Sequence, residues 1–540
     1  MVAIQAPVEL SFEVNNFTGL NIDASEARVG DDDLTDLVNF DTNPSGELTT
    51  RGGFTNVSAG LISGIPAGLG YIRLIGHYYT NTISQILATN GSDFLVSGDG
   101  AQSWQVYSGV GKITFGVQYR DLFYMTRYDD VMCYWNGTAI TGIPSSPAGT
   151  ACVVFHNRMF VLHYQGNTSI GNNANYIYFC AQNQLAAIPF LTADWTNPDD
   201  AGNFPVNPGD GDVLVGFAVL QDTLFLFKTH SMWRFNPVGA LEDWVLRDVS
   251  MTVGCTSVYT IREIEGYIWF ASEQAVYKTD GVTFLEMSRS IRPIFKGHFP
   301  AGGVNSVDTV NLDSAAYWNG KFFYHIVTNP MGQIGYTRNL YVLDVQSNGW
   351  TRYDIAPYFS GKFTPMNMLE VDNPNTGTYV QRGLYMGDST ANKYVWRWGG
   401  SVDLTHYYDT SGPLNTVPQP YNATMTTKAY DLEDISRAKR TKWVELEASY
   451  NGNMPNAPTA VTVTQTSGTV RNTNTGHTNS RTDTVSWPVW QTGRDFYTVR
   501  GLGFFETMRF TVTHQNDAQA MIIYSIRMRF TKTDRRLAGK

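Results

Sequence analysis

Between Ile72 and Trp398 the chain repeats one pattern with variations: an alternating strand, a polar turn, a second aromatic strand, and a turn ending in Gly or Trp. The copies are Ile86–Val96 with Ser97–Trp104, Leu122–Thr126 with Val131–Gly137, and Val153–Leu162 with Tyr176–Phe179 and Trp195. They continue as Val213–Leu220 with Thr223–Lys228 and Met232–Phe235, then Tyr267–Phe270 with Ala275–Lys278 and Asp280-Gly281, then Lys321–Val327 with Leu340–Asp344 and Trp350. A partial copy, Gly383–Met386 with Tyr394–Trp398, either closes the series or leaves it. The interval of roughly 40 to 60 residues is that of propeller blades, not of helical solenoids. Alternation within each strand means that its two faces have different surroundings. A four-stranded blade cannot cover both its faces alone, and stacking blades around an axis does so. The expected fold is therefore all-β, a β-propeller spanning 61–400, with six blades preferred and seven as the alternative count.

At 540 residues the chain exceeds one ordinary core, so an accessory domain is expected beside the closed one. Charged residues are only 16% of the chain, below the usual figure of about 25%, so Asn, Thr, Ser, Gly and Tyr must form much of the surface. Such neutral surface suits β-rich extracellular or virion proteins. Thirty Tyr, 29 Phe and 13 Trp favour strands, and 50 Gly with 22 Pro supply turns. The net charge of −10 lacks the basic excess through which general nucleic-acid binders neutralise phosphate. Cys133, Cys152, Cys180 and Cys255 show no CxxC spacing and read as buried thiols. Residues 1–7 lack the basic start and apolar core of a signal peptide, and no apolar run reaches the roughly 18 residues that span a membrane. The expectation is a protein made in a cytoplasm and not exported by the general secretory route.

Outside the repeats, residues 1–60 read as an N-terminal arm with few strand signals, contributing to a docking platform. Residues 401–540 read as a separate β-sandwich-like domain, ending in the alternating strands Phe505–His514 and Met521–Phe530. Asn451–Thr484, with the low-complexity run Asn472–Ser480, reads as long surface hairpins or a mobile loop. Short helices are expected at Ser288–Phe295 and Leu432–Lys442, and a helical turn at Asp33–Val38.

The motifs point away from catalysis. Ser97-Gly-Asp-Gly-Ala-Gln-Ser-Trp104 resembles the Asp-box of sialidase-type propellers, with Ala101 in place of the usual Gly and Ser103 in place of Thr. That box is a hairpin device in which the Asp accepts turn amides and the Trp packs beneath. A sialidase would further need an arginine cluster and a nucleophilic Tyr with a Glu partner, and no local pattern singles these out. Asp31-Asp-Asp33 lacks the alternating oxygen ligands and fixed Gly of a calcium loop, so a solvated turn or a helix N-terminus is the better reading. His156 and His163 flank one strand on opposite faces and cannot share a metal. Gly109-Val-Gly111 is a turn between blades. Arg437–Lys442 and Lys532–Arg536 are the dense basic runs, able to meet phosphate or an acidic partner, or simply to guard a strand edge. No catalytic, cofactor-binding or metal residue is assigned.

Several segments together resemble tail nozzle or hub proteins of short-tailed bacteriophages. They are Gly19-Leu-Asn21, Leu37–Phe40 and Pro44–Gly53 at the start, and Tyr176–Phe179, Asp194-Trp195, Asp210-Gly-Asp212, Leu224–Lys228 and Ser231–Trp233 in the middle. Gly254–Ser257, Trp269, Val276-Tyr277 and finally Phe504–Arg529 continue the order. Each piece is short, and the weight lies in order and spacing. The resemblance implies a non-enzymatic virion tail protein, a homo-oligomer of six below the portal. It would contact an adaptor ring and tail fibre or needle proteins, and DNA would pass through it transiently and without sequence specificity. An acidic wall would let DNA slide, since it repels phosphate. The alternative is a carbohydrate-binding or glycoside-hydrolase-like propeller acting in host adsorption.

Overall fold

The structure is a computed structural model. It describes residues 8–23, 28–57, 72–163, 175–182, 189–237, 239–297, 313–328, 337–354, 365–371, 382–388, 395–398, 409–411, 417–419, 421–432, 437–451, 460–471, 478–488, 495–500, 504–505, 507–516 and 520–536. Among these residues the repeats form seven blades, each a four-stranded antiparallel sheet. Their first strands are Arg73–Tyr79, Ile113–Tyr119, Gly149–Phe155, Leu214–Leu220, Arg262–Ile264, Ser314–Trp318 and Pro365–Val371. Each touches the next, and the seventh touches the first, so the ring is closed around an axis lined by these strands. Six was the preferred count, and the partial copy corrects it. Gly383–Asp388 and Val395–Trp398 are strands of a seventh blade, whose outer strand is Phe54–Asn56 from the other end of the chain.

Local chemistry sets the blades. In blades three to six the first hairpin turns through two residues of positive φ: His156-Asn157, Gln221-Asp222, Glu265-Gly266 and Asn319-Gly320. That is the two-residue turn whose twist matches paired strands, and Asn-Gly adopts it with least strain. In blades one to four the inner strand shifts register at its beginning, between Leu74/Gly76, Ile113/Phe115, Gly149/Ala151 and Leu214/Gly216. Such a bulge bends the strand where it meets the axis. Between blades one and two, a Cβ on Gly76 would lie 2.3 Å from Phe123 Cζ, and one on Gly116 2.3 Å from Phe123 Cε1. The ring fills the room that the two glycines leave.

The remaining strands form two sheets. One runs in the order Phe40–Thr42, Leu48–Thr50, Ala520–Arg536, Arg437–Asn451, Asp495–Arg500, with Glu9–Val14 also on Ala520–Arg536. The other runs Asp33–Val38, Tyr421–Thr427, Met508–Asn516, Ala460–Arg471, Thr478–Pro488, and its first strand also meets Gly349–Tyr353 of blade six. Val444, Leu446, Met521, Ile523 and Met528 of the first sheet share one buried core with Leu34, Met425, Phe510 and Val512 of the second. The sandwich-like packing of the C-terminal region is thus present, but residues 401–540 do not make it alone. The supposed N-terminal arm supplies strands to both sheets, because each covers apolar faces that the C-terminal strands leave open.

Two helix expectations fail for a related reason. Asp33–Val38 is a strand, since it sits between blade six and Tyr421–Thr427. Arg437–Lys442 begins a 15-residue strand. Its Lys and Arg favour helix, but pairing along Ala520–Arg536 overrides that weak preference. Ser288–Phe295 does coincide with a 3₁₀ segment, Arg289–Gly297, while Trp195, read as the end of a turn, closes a short helix, Thr192–Trp195. Ala460–Arg471 and Thr478–Pro488 form a hairpin within the Asn-rich region, and residues 452–459 and 472–477 lie outside the described residues.

Candidate functional site

The blade axis is where a propeller gathers side chains from distant parts of its sequence. Here the link between blades four and five carries a single helical turn, Val258–Thr260, started by Ser257, whose hydroxyl accepts the Tyr259 amide at 3.3 Å. The turn delivers Tyr259 to blades one and two. Arg73 Nη1 donates to Tyr259 Oη at 2.8 Å, and Tyr259 Oη in turn donates to the Thr114 carbonyl. Arg73 Nη2 donates to the Ile113 carbonyl. Rings of Phe115 and Tyr259 lie 6.2 Å apart, with the Arg73 guanidinium 5.5 Å from the Tyr259 ring. Arg73 is buried. These contacts fasten one side of the ring to the other.

A second group also joins separate blades. Arg262 Nε of blade five faces Glu370 Oε1 of blade seven at 3.7 Å, and Tyr317 Oη of blade six donates to Glu265 Oε1 of blade five at 3.2 Å. Glu370 also accepts the Tyr317 amide. Enclosure by protein lowers Arg262 from its ordinary value, and Glu370 opposes that shift. Burial, then the Glu265 carboxylate, raises the Tyr317 phenol, which keeps it protonated. A Tyr–Glu pair is the type that a sialidase-like nucleophile uses, and sequence spacing gave no hint of it. The accompanying guanidinium, Arg262, is already turned to a carboxylate, so the chemistry in place is that of a tie between blades.

The motifs read from the sequence are locks of the same kind. Asp99 accepts the Ser97 hydroxyl at 2.8 Å and the Ser103 amide at 2.9 Å, and Ala101 takes the left-handed conformation, φ 71°, that explains the Gly of the usual box. Burial pushes the Asp99 carboxyl up, but these hydrogen bonds hold it below its ordinary value. Asp33 accepts Asn21 Nδ2 at 2.7 Å and Asp31 pairs with Lys428 at 2.5 Å, so the acidic triplet secures the start of a strand. His156 Nε2 meets Asp222 Oδ1 at 2.7 Å across two blades. The His163 side chain lies outside the described residues, among which no cluster suited to a metal occurs. Asp210 and Asp212 grip the next hairpin. The fully buried Lys228 Nζ lies 2.7 Å from Asp210 Oδ1, and Asp212 accepts the Ser231 hydroxyl at 2.7 Å. All four cysteines are buried thiols whose pKa burial raises.

The two basic runs, separate in sequence, are partners in space. Arg437 is opposite Arg536 and Lys439 opposite Lys532 at one end of the longest strand pair. Nearby, Arg529 lies over the Trp443 ring at 5.3 Å, and Trp443 is opposite Arg500 on its other side.

No family model matches the chain, and no curated protein matches it. Among solved structures it is similar to the computationally designed Ika8 protein, with 11% identity, a TM-score of 0.34, and coverage of 63% of this chain and 99% of that one. It is also similar to YCF48 from Cyanidioschyzon merolae, with 10% identity, a TM-score of 0.36, and coverage of 64% and 98%. The WD40 domain of Neurospora crassa Pan2 matches at 10% identity and a TM-score of 0.36, covering 66% of this chain and 97% of that one. The chain is a β-propeller joined to a further β domain.

Proposed function

We propose that the chain is a structural protein of a phage tail, six copies of which form a nozzle below the portal and adaptor ring that retains the genome and conducts DNA during ejection. The observation that supports this reading is where the nozzle-like segments lie. Leu48 and Thr49, from the opening segment Pro44–Gly53, pair with Ile523 and Ile522 of the closing segment Phe504–Arg529. In the middle, Asp210-Gly-Asp212 closes on Leu224–Lys228 and Ser231–Trp233. Pieces that are short and permissive singly are therefore one another's partners, as expected of a scaffold retained as a whole. The ties of Tyr259 and Arg262 across the propeller axis favour a conduit between subunits over one through the blades.

Native mass measurement with electron microscopy tests the reading. A ring of six with a pore wide enough for duplex DNA is expected, and a stable monomer at micromolar concentration would overturn it. The Tyr317–Glu265 pair favours a second reading, a glycan-directed propeller. Turnover of a model glycoside, abolished by Tyr317→Phe, would decide for that reading.

A further inference from the structure

The two outer strands of blade four are Met232–Asn236 and Val245–Ser250, and their register sets Arg234 directly opposite Arg247. Both side chains are exposed, and neither has an ion pair or a hydrogen-bond partner among the described residues. Residues opposite each other in an antiparallel pair share one face, with Cβ atoms about 5 Å apart, and like charges so placed destabilise the pair. Among the described blade strands this is the one rung of like charge, whereas Lys321 opposite Asp344 joins opposite signs. No carboxylate is arranged to offset it. Asp248 follows Arg247 but stands opposite Trp233, on the other face. Inward, Arg234 is opposite Phe225, and the next rung on the same face is the exposed, uncharged pair of Asn236 and Val245. Across in blade five, Glu286 is engaged by Arg292 at 2.5 Å. Arg127 of blade two likewise has its own carboxylate, Asp130, at 2.5 Å.

We infer that Arg234 and Arg247 form a binding site for a phosphate dianion, either free phosphate or the terminal phosphate of a larger molecule. Two guanidinium forks on adjacent strands present more donors than one carboxylate can accept, and arginine matches phosphate oxygens two at a time. A phosphate monoester carries about −1.5 to −2 at neutral pH with three strong acceptor oxygens, so a single group can meet both charges. A carboxylate or a phosphodiester brings one charge and would leave the second arginine unmatched. Asn236, on the same face, adds an uncharged amide donor beside the pair. The site lies on the outer strands of the propeller, away from its axis, and is independent of the nozzle reading.

The test titrates inorganic phosphate and O-phosphoserine into the full chain, followed by phosphorus NMR line broadening, with chloride holding the ionic strength constant. Wild type should bind saturably, and Arg234→Gln or Arg247→Gln should each weaken binding about tenfold or more. Arg247→Lys, which keeps the charge without the fork, should also bind more weakly than wild type. Both positions are exposed, so the variants should fold, and without ligand Arg247→Gln should melt no lower than wild type, because the like-charge rung is gone. Phosphate should raise the melting temperature of wild type and not that of the double Gln variant. Binding of both probes supports a terminal phosphate as ligand, and binding of inorganic phosphate alone supports the free ion. Absence of saturable binding to either probe, or binding unchanged in the double Gln variant, overturns the inference. Duplex DNA lacking terminal phosphates that binds wild type and not the double variant would assign the arginines to the diester backbone, and would overturn it too.

Discussion

Arg51 shows how one side chain can join parts of the chain that are remote in sequence. It is fully buried, donating from Nε to Asn39 Oδ1 at 2.8 Å, from Nη1 to the Gly52 carbonyl at 2.8 Å and from Nη2 to the Asp354 carbonyl at 3.2 Å. Its guanidinium lies 3.9 Å from the centre of the Tyr421 ring and 5.0 Å from that of Phe54. One planar cation thus contacts the N-terminal strands, blade six and the C-terminal sheets together. A lysine keeps the charge but cannot offer three donors in a fixed fork, and it would leave buried acceptors unfilled. Arg51→Lys is therefore expected to cost about 2–3 kcal/mol in urea unfolding, despite conserving charge. A loss below about 0.5 kcal/mol would show that the fork geometry is unimportant here.

At the scale of elements, the seventh blade depends on Phe54–Asn56, paired with Trp396–Trp398. Proline at Thr55 removes a backbone donor and fixes φ within this three-residue strand. Thr55→Pro should lower stability by about 3 kcal/mol or more and raise hydrogen exchange in Val395–Trp398 before it does so in blades two to four. Uniform loss of protection across all blades would contradict that order. This strand also marks the limit of what sequence could reveal. Leu224-Phe-Leu-Phe227 and Met521–Phe530 announce themselves through local alternation and run length, since their burial pattern is written in neighbouring residues. Phe54-Thr-Asn56 is too short for a period, and its partner lies more than 300 residues away. The same holds for Glu9–Val14, whose partner is Ile526–Thr531. The basic run Arg437–Lys442 misled because helix propensity is local, whereas the partner that overrides it is not. At the axis, Arg73, the neighbours Tyr259 and Arg262, and Glu370 come from three distant places in the chain, so no spacing could have grouped them. The hairpin role of the Asp-box was legible because the hydrogen bonds that fasten it, from Ser97 and Asp99 to Ala101 and Ser103, lie within seven residues.

For the whole molecule the question is whether propeller and sandwich unfold together. One buried core runs from Trp269, Phe322 and Leu343 of blades five and six through Phe17 and Leu37 to Phe510 and Met528. The second sheet of the sandwich also continues into blade six where Val38 meets Arg352. Separating the two parts would expose many of these side chains, each contributing about 1.5–3 kcal/mol by its burial. A single cooperative transition is expected, and two histidines can test it. Burial lowers His77 of blade one and His514 of the sandwich from their ordinary value of 6.5 to about 4. The unfolded chain binds protons at these sites below pH 6.5, and the folded chain does not until about pH 4. Their contribution to stability is therefore complete above pH 6.5 and is lost as the pH falls toward 4. Each group alone gives a slope of about 1.4 kcal/mol per pH unit. With a shared core, calorimetry between about pH 5 and 7 should show one transition whose pH slope decreases with either His77→Gln or His514→Gln. If the parts unfolded independently, two transitions would appear, each answering to its own histidine alone. Cooperativity of this kind also suits the proposed ring, because a load applied to the sandwich at a subunit contact would be carried directly into blades five and six.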